Sequence, residues 1–386
     1  MEIEIGRGRK SRQTYGFDDV ALVPGATTLD PEDVDLTCEL GGLKLSLPVL
    51  ASAMDAVVDP RSAAVLSQLG GLGVLHLQGL QCRYADPSPV YQRIVSAKPE
   101  EAVSVLQEAY REPVQDALIL RRVEEMRALG AKVAVSPSPA FAAHAATVIG
   151  PGKVDVLVVQ STVTTARHIS SRYQPPDFRR LADTVEAPVF VGNCVSYDAA
   201  LDLMRAGADA VLVGVGPGAA CTTRRVLGVG VPQVTAGADC AAARDAHERE
   251  TGRRVPVILD GGMRVGGDIA KAIAAGADAV MIGSPLAAAE EAPGRGCHWG
   301  MAAPDPGLPR GTRIHVGIAG PMKEILLGPA KRDDGAMNLF GALRLSMATC
   351  GARTIREMQT VEIIVAPALP FEGKAQQRAQ GVGGTR

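Results

Sequence analysis

Cys221 closes the run Gly214-Val215-Gly216-Pro217-Gly218-Ala219-Ala220-Cys221, and Thr222, Thr223 and Arg224 follow it directly. The three glycines permit tight turns and close approach of backbone to a ligand. A thiol displayed on such a loop beside a cation is a candidate low-pKa nucleophile for covalent catalysis. The plain alternative is a small residue packed into a turn. Two further glycine-rich turns, Asp260-Gly261-Gly262 and Gly283-Ser284, could offer backbone amides to a phosphate, with Asp260 accepting from a ribose hydroxyl; ordinary β-turns would look the same. Ser52-Ala53-Met54-Asp55 offers a hydroxyl and a thioether face that would suit a purine ring, although a methionine is more often core. Asn193 could turn its amide toward the same place or simply satisfy a turn. Of the six histidines, which lack metal-ligand spacing, only His298 beside Trp299 invites a functional reading, with a surface role as the alternative.

These residues need a frame that brings them together. Apolar, β-branched runs predict strands at Pro48–Ser52, Leu72–Leu77, Lys132–Ser136, Asp155–Gln160, Pro188–Gly192, Ala210–Gly214, Pro256–Asp260 and Ala279–Gly283. Helical patterns fall between most of them, at Pro60–Leu69, Val114–Leu129, Tyr197–Ala206, Cys240–Glu250 and Gly267–Ala275. Eight strands with helical crossovers point to an α/β fold, a closed (β/α)8 TIM barrel. An open doubly wound sheet is the rival, but no GxGxxG follows the first strand. An internal repeat supports the barrel: Ala206-Gly207-Ala208-Asp209-Ala210-Val211-Leu212-Val213-Gly214 recurs at 275–283 as Ala-Gly-Ala-Asp-Ala-Val-Met-Ile-Gly. Each copy reads as helix end, glycine cap and strand. Barrel sites lie at the C-terminal ends of the strands, so the loops from Asn193, Gly214, Gly261 and Ser284 would open onto one mouth.

The 386 residues, 46% hydrophobic, suffice for a large core. A net charge of −2 leaves no basic footprint for nucleic acid. No run is long enough to span a bilayer and no leader pattern opens the chain, so no membrane partner is expected. Seven scattered cysteines without CxxC spacing suit reduced thiols in a cytoplasm. The charge run Arg121-Arg122-Val123-Glu124-Glu125 reads as a solvated helix face, and His247 falls on a polar one. Gly79 to Pro113 is too short for a second α/β domain. Pro293 to Pro321, rich in Gly and Pro after strand eight, reads as a long lid loop. A helix follows at Met337 to Thr349. The expected organisation is one catalytic barrel over residues 1–372 and a flexible tail over 373–386.

From Thr14 to Ala366 the chain resembles the IMP dehydrogenase/GMP reductase family. The resemblance rests on Phe17-Asp18-Asp19-Val20 with Pro24, Ser52 to Val57, Gly70 to His76, Val191-Gly192-Asn193, Gly214 to Gln233, Asp260-Gly261-Gly262 and Met281 to Pro293. With His298-Trp299-Gly300-Met301 in the lid and a short segment between strands two and three, the chain is similar to the branch lacking the regulatory CBS pair. This resemblance implies that Cys221, assisted by Thr223, attacks C2 of IMP, that hydride passes to NAD, and that water then hydrolyses the thioimidate to XMP. It implies nucleotide contacts at Ser52, Met54, Asn193, Asp260, Gly262, Met281, Gly283, Ser284, Gly300 and Met301, and cofactor contacts at Gln160, Ser161, Gly214 and Gly216. A monovalent cation, potassium (K+), would sit on the carbonyls of Gly216, Gly218 and Cys221, and the assembly would be a homotetramer or homo-octamer. The chain departs from the pattern at three places. Gln160 replaces the family's ribose-binding aspartate, and Val316 replaces a purine-reading Glu or Gln. No Arg-Tyr pair for water activation is recognisable in 302–313, leaving Arg310 or Arg313 as substitutes. GMP reductase is the near alternative; Pro304 and Asp305 stand where that branch places a glutamate. A purine-nucleotide-binding regulator without turnover is the non-enzymatic one.

Overall fold

The computed structural model describes residues 2–300, 312–367 and 372–382. Eight parallel strands close a barrel: β1 (Val49–Ala51), β2 (Leu72–His76), β3 (Ala134–Ser136), β4 (Val156–Gln160), β5 (Val189–Cys194), β6 (Ala210–Val213), β7 (Val257–Asp260) and β8 (Ala279–Ile282). They pair in chain order around the ring, and β8 returns onto β1. Every predicted strand is present, most trimmed at the ends. β5 instead runs two residues further than expected, placing Asn193 within the strand.

The apolar runs of the sequence reflect burial on both faces. Leu50, Leu72, Val74, Val156, Val158, Phe190, Leu212, Ile258 and Met281 fill the interior. Their neighbours Val49, Ala51, Leu157, Val159, Val191, Val211, Leu259 and Ile282 meet the helices outside. Gly73 illustrates the fit: a Cβ there would stand 2.8 Å from the Ala63 backbone, so glycine lets the preceding helix lie close on β2.

The described helices include α1 (Pro60–Gln68), α2 (Ser88–Ser96), α3 (Ala102–Ala109), α4 (Asp116–Ala128), α5 (Ala142–Ile149), α6 (Phe178–Val185), α7 (Tyr197–Arg205), α8 (Thr223–Leu227), α9 (Gln233–Thr251), α10 (Gly266–Ala274), α11 (Ser284–Ala287), α12 (Met322–Leu327), α13 (Leu339–Thr349) and α14 (Ile355–Met358). The segment between β2 and β3 holds α2 and α3 ahead of α4. The tail carries a short helix at Ala375–Gln380. α9 starts seven residues before the predicted Cys240, because Pro232 presets its entry and Gly237 lets it press onto Leu259. His247, expected on a polar face, is instead buried with its Nδ1 2.9 Å from the Arg253 carbonyl oxygen. None of the described helices is long and apolar enough to cross a membrane.

The aspartate of the repeat has a specific task at the N-terminal end of the barrel. Asp209 donates its amide to the Val189 carbonyl and accepts the Val189 amide on its carboxylate, both at 2.8 Å. Asp278 makes the same closed pair with Val257, and Asp155 with Val133. Each satisfies an amide at or just before the start of a strand that would otherwise be orphaned. The hairpin formed by Cys38–Leu40 and Leu43–Leu45 adds its buried side chains to the interior cluster at this end.

Candidate active site

A cavity of about 350 Å³ opens at the C-terminal ends of the strands. Its wall includes Ser52, Met54, Gln160, Ser161, Asn193, Gly214, Gly216, Gly218, Cys221, Asp260, Gly262, Gly283, Ser284 and Gly300. The structure thus gathers residues from β1, β4, β5, β6, β7 and β8, as strand order demanded. Met281 is fully buried behind the wall, its sulfur 3.9 Å from the Gln160 amide nitrogen. Met301 and Arg310 lie outside the described residues.

The Cys221 side chain is exposed to this cavity, and its thiol donates to the Thr223 hydroxyl at 3.1 Å. Thr223 is 2% exposed at the start of α8, so it is fixed while the sulfur is free to react. Arg224, expected as a cation beside the thiol, chiefly ties the loop together. Its guanidinium donates to the carbonyls of Val215 at 3.1 Å and Val231 at 2.7 Å. The glycines at 216 and 230 make room for it, since a Cβ at either would come within 2.7 Å of its side chain. Gln233 donates to the Asp260 carbonyl at 2.9 Å and so couples the loop to the end of β7.

A polar cluster spans the floor. The Gln160 amide donates to Asn193 Oδ1 at 2.8 Å and to Asp260 Oδ2 at 2.9 Å, and Asn193 donates to the same Asp260 oxygen at 2.8 Å. Enclosure pushes the Asp260 carboxyl up to about 6, against the donors Asn193, Gln160 and Ser52 that favour its charge. A raised value means that ionisation opposes folding. The group's contribution is complete below its ordinary 3.8 and is lost as pH rises through about 6. In ligand-free protein, the thermal midpoint of Asp260→Asn relative to wild type should therefore climb as pH rises above the ordinary 3.8 and level off above about 6. A pH-independent difference would contradict this assignment.

At the other side, Gly261 and Gly262 hold φ of +82° and +83°, and Gly283 precedes α11. Ser284 Oγ lies 2.9 Å from His298 Nε2. His298 is 2% exposed rather than on the surface, and burial brings its imidazole down to about 4, so it is neutral at physiological pH. Its Nδ1 has no partner among the described residues. Trp299 also lines the cavity; sequence reasoning gave it no role, because a lone aromatic has no pattern. Ser161 spends its hydroxyl on the Val163 carbonyl at 2.8 Å. Val316 packs against the core and does not line the cavity. Among the described residues, no group of three or more His, Cys, Asp or Glu is placed to hold a metal ion.

Residues 14–300 match the IMP dehydrogenase / GMP reductase domain. The chain belongs to that family. Similar proteins include an uncharacterized oxidoreductase of Mycolicibacterium smegmatis, 38% identical over 94% of this chain and 99% of the relative. An inosine-5'-monophosphate dehydrogenase of Methanocaldococcus jannaschii is 30% identical, covering 93% of this chain and 94% of its own. A crystal structure of an IMP dehydrogenase/GMP reductase-like protein from Corynebacterium glutamicum superposes with a TM-score of 0.88 at 35% identity, covering 95% of this chain and 98% of that one. Within the family's barrel, Cys221, Asp260 and the Gly283-Ser284 turn face one shared cavity.

Proposed function

We propose that this oxidoreductase converts IMP and NAD+, with water, to XMP and NADH. The observation that carries the reading is the Cys221–Thr223 pair opening into a cavity whose far walls hold Asp260 and the Gly283-Ser284 turn. Asp260 would accept the ribose hydroxyls, the amides at 261–262 and 283–284 would face the phosphate, and Met54 would lie against the base. The Cys221 sulfur would add to purine C2, and the hydrogen on C2 would leave as hydride. Water would then add to C2 of the thioimidate, releasing XMP and returning the thiolate. Thr223, whose hydroxyl already holds the thiol proton, would orient the sulfur. Arg310 is assigned to water activation on sequence alone.

The cofactor fits this chain at one point in particular. Gln160 Oε1 is buried at the cavity and unpartnered among the described residues, an acceptor suited to a ribose hydroxyl near Ser161, Gly214 and Gly216. A bound nicotinamide supplies the hydride acceptor. For a monovalent cation such as K+, the loop offers backbone carbonyls, which are hard donors. Those of Gly216, Gly218 and Cys221 would serve, the second already accepting from the Cys221 amide at 3.0 Å. A cytoplasmic homotetramer or octamer belongs to the same reading. Val226, Leu227 and Val229, 41–48% exposed beside the loop, are apolar surface that a subunit contact would cover.

The absence of an Arg-Tyr pair from 302–313 favours one second reading, reductive deamination of GMP with NADPH at the same thiol. Absorbance of the reduced nicotinamide separates them. A rise with IMP and NAD+ is expected; a fall with GMP and NADPH would install the reductase, and binding of IMP without either change would leave a nucleotide-binding regulator.

A further inference from the structure

We propose that the α2–α3 segment between β2 and β3 is the seat that fixes the cavity wall His298-Trp299-Gly300, with Tyr110, Asp55 and Arg313 as positioning residues. The inference rests on the reading of this cavity as a purine-nucleotide site. Trp299, the chain's sole tryptophan, is 1% exposed, and its indole donates to the Tyr110 hydroxyl at 2.9 Å. That hydroxyl in turn donates to Asp55, whose second oxygen accepts the Leu80 amide at 2.9 Å. Asp55 follows Met54 of the cavity wall in the loop after β1, so the chain of bonds runs from Trp299 through the end of α3 to the residue beside Met54. The packing leaves it no slack: a Cβ at Gly79 would stand 2.0 Å from the Asp55 carboxylate.

The returning strand lands on the same segment. Cys297–His298 pairs with Ile314–His315, and Arg313 donates to the carbonyls of Ile94 at 2.6 Å and Val95 at 3.2 Å. Those carbonyls belong to the last turn of α2, where free acceptors and the helix's negative end favour a cation. Tyr91 of α2 completes the seat, its ring centroid 6.1 Å from that of Trp299. An indole N–H, a phenol and a carboxylate buried together are costly unless all are paired. Here each is, which fixes orientation as apolar packing would not. Arg313, a sequence candidate for water activation, is thereby committed to holding the wall.

Because His298 to Gly300 touch the nucleotide side of the cavity and Cys221 stands on another element, loosening the seat should weaken binding uniformly and leave chemistry alone. Tyr110→Phe and Arg313→Gln should each raise the nucleotide KM about tenfold, with kcat within about twofold of wild type. Tyr84→Phe is the control. It removes a bond of the same segment, to the Ala109 carbonyl at 2.9 Å, without touching the wall, and should leave KM unchanged. KM is read on whichever purine nucleotide the wild type turns over, with Kd by calorimetry in parallel. Failure of the functional reading shows in the wild type; failure of this inference shows only in the variants. Unchanged KM and Kd in both Tyr110→Phe and Arg313→Gln, or an equal rise in Tyr84→Phe, would overturn it.

Discussion

Cys221→Ala is expected to lower kcat by about four orders of magnitude or more, the scale at which removal of a covalent nucleophile acts. The nucleotide Kd should move by no more than about threefold, since the contacts that hold a ligand without reacting are elsewhere on the wall. Folding should be spared as well: the side chain is exposed and its one hydrogen bond among the described residues is to Thr223. Steady-state turnover and calorimetric titration with IMP together read the two effects. Retained turnover in the variant would remove Cys221 from the chemistry. Parallel loss of turnover and binding would make the residue a structural member of the loop.

The largest expected loss of stability lies at the opposite end of the barrel. Asp278 accepts the Val257 amide at 2.8 Å and pairs with Arg244 at 2.8 Å and Arg254 at 2.9 Å. The Arg244 side chain is only 4% exposed, so Asp278→Ala takes a carboxylate from a buried cation, leaving it Asp245 at 2.9 Å and the Gly276 carbonyl at 2.7 Å, and it also orphans a strand amide. Breaking such a pair costs about 3–5 kcal/mol. Thermal unfolding should show a midpoint lowered by about 5 °C or more. Asp209→Ala is the internal comparison. Its partner Arg253 is 45% exposed, and the expected cost is about 1 kcal/mol. Burial alone would push the Asp278 carboxyl up, but Arg244 and Arg254 more than offset it and hold it below 3.8. Its contribution is therefore present at neutral pH and fades as pH falls through that lowered value. The gap between wild type and Asp278→Ala should narrow in acid; equal losses for the two aspartates would contradict the buried-pair account.

These two residues also show how far the sequence could be read. The thiol and the glycine turns were legible because strand order dictates which loops share a mouth, whereas Thr223 was named only through the family resemblance. The repeat containing Asp278 was legible as a helix-to-strand unit, but not the reason for its aspartate. That reason is the first amide of the preceding strand, 21 residues earlier. Arg224 was legible only in part for a related reason. Adjacency in sequence suggested a cation for the thiol, whereas its guanidinium binds carbonyls seven and nine residues away. His247 was assigned on local polarity and is buried by elements distant in the chain, while His298, weighed for its place beside Trp299, lines the cavity rather than the surface. Trp299 and Tyr110 stand 189 residues apart, and no local pattern reports such a pair.

The most direct test is the mass of the protein quenched in acid during turnover. With IMP and NAD+ together, a gain of one purine nucleotide is expected, confined to the peptide bearing Cys221 and absent when either reactant is omitted. An adduct on another residue, or rapid NADH formation with no adduct on Cys221 at any quench time, would contradict covalent catalysis at this thiol.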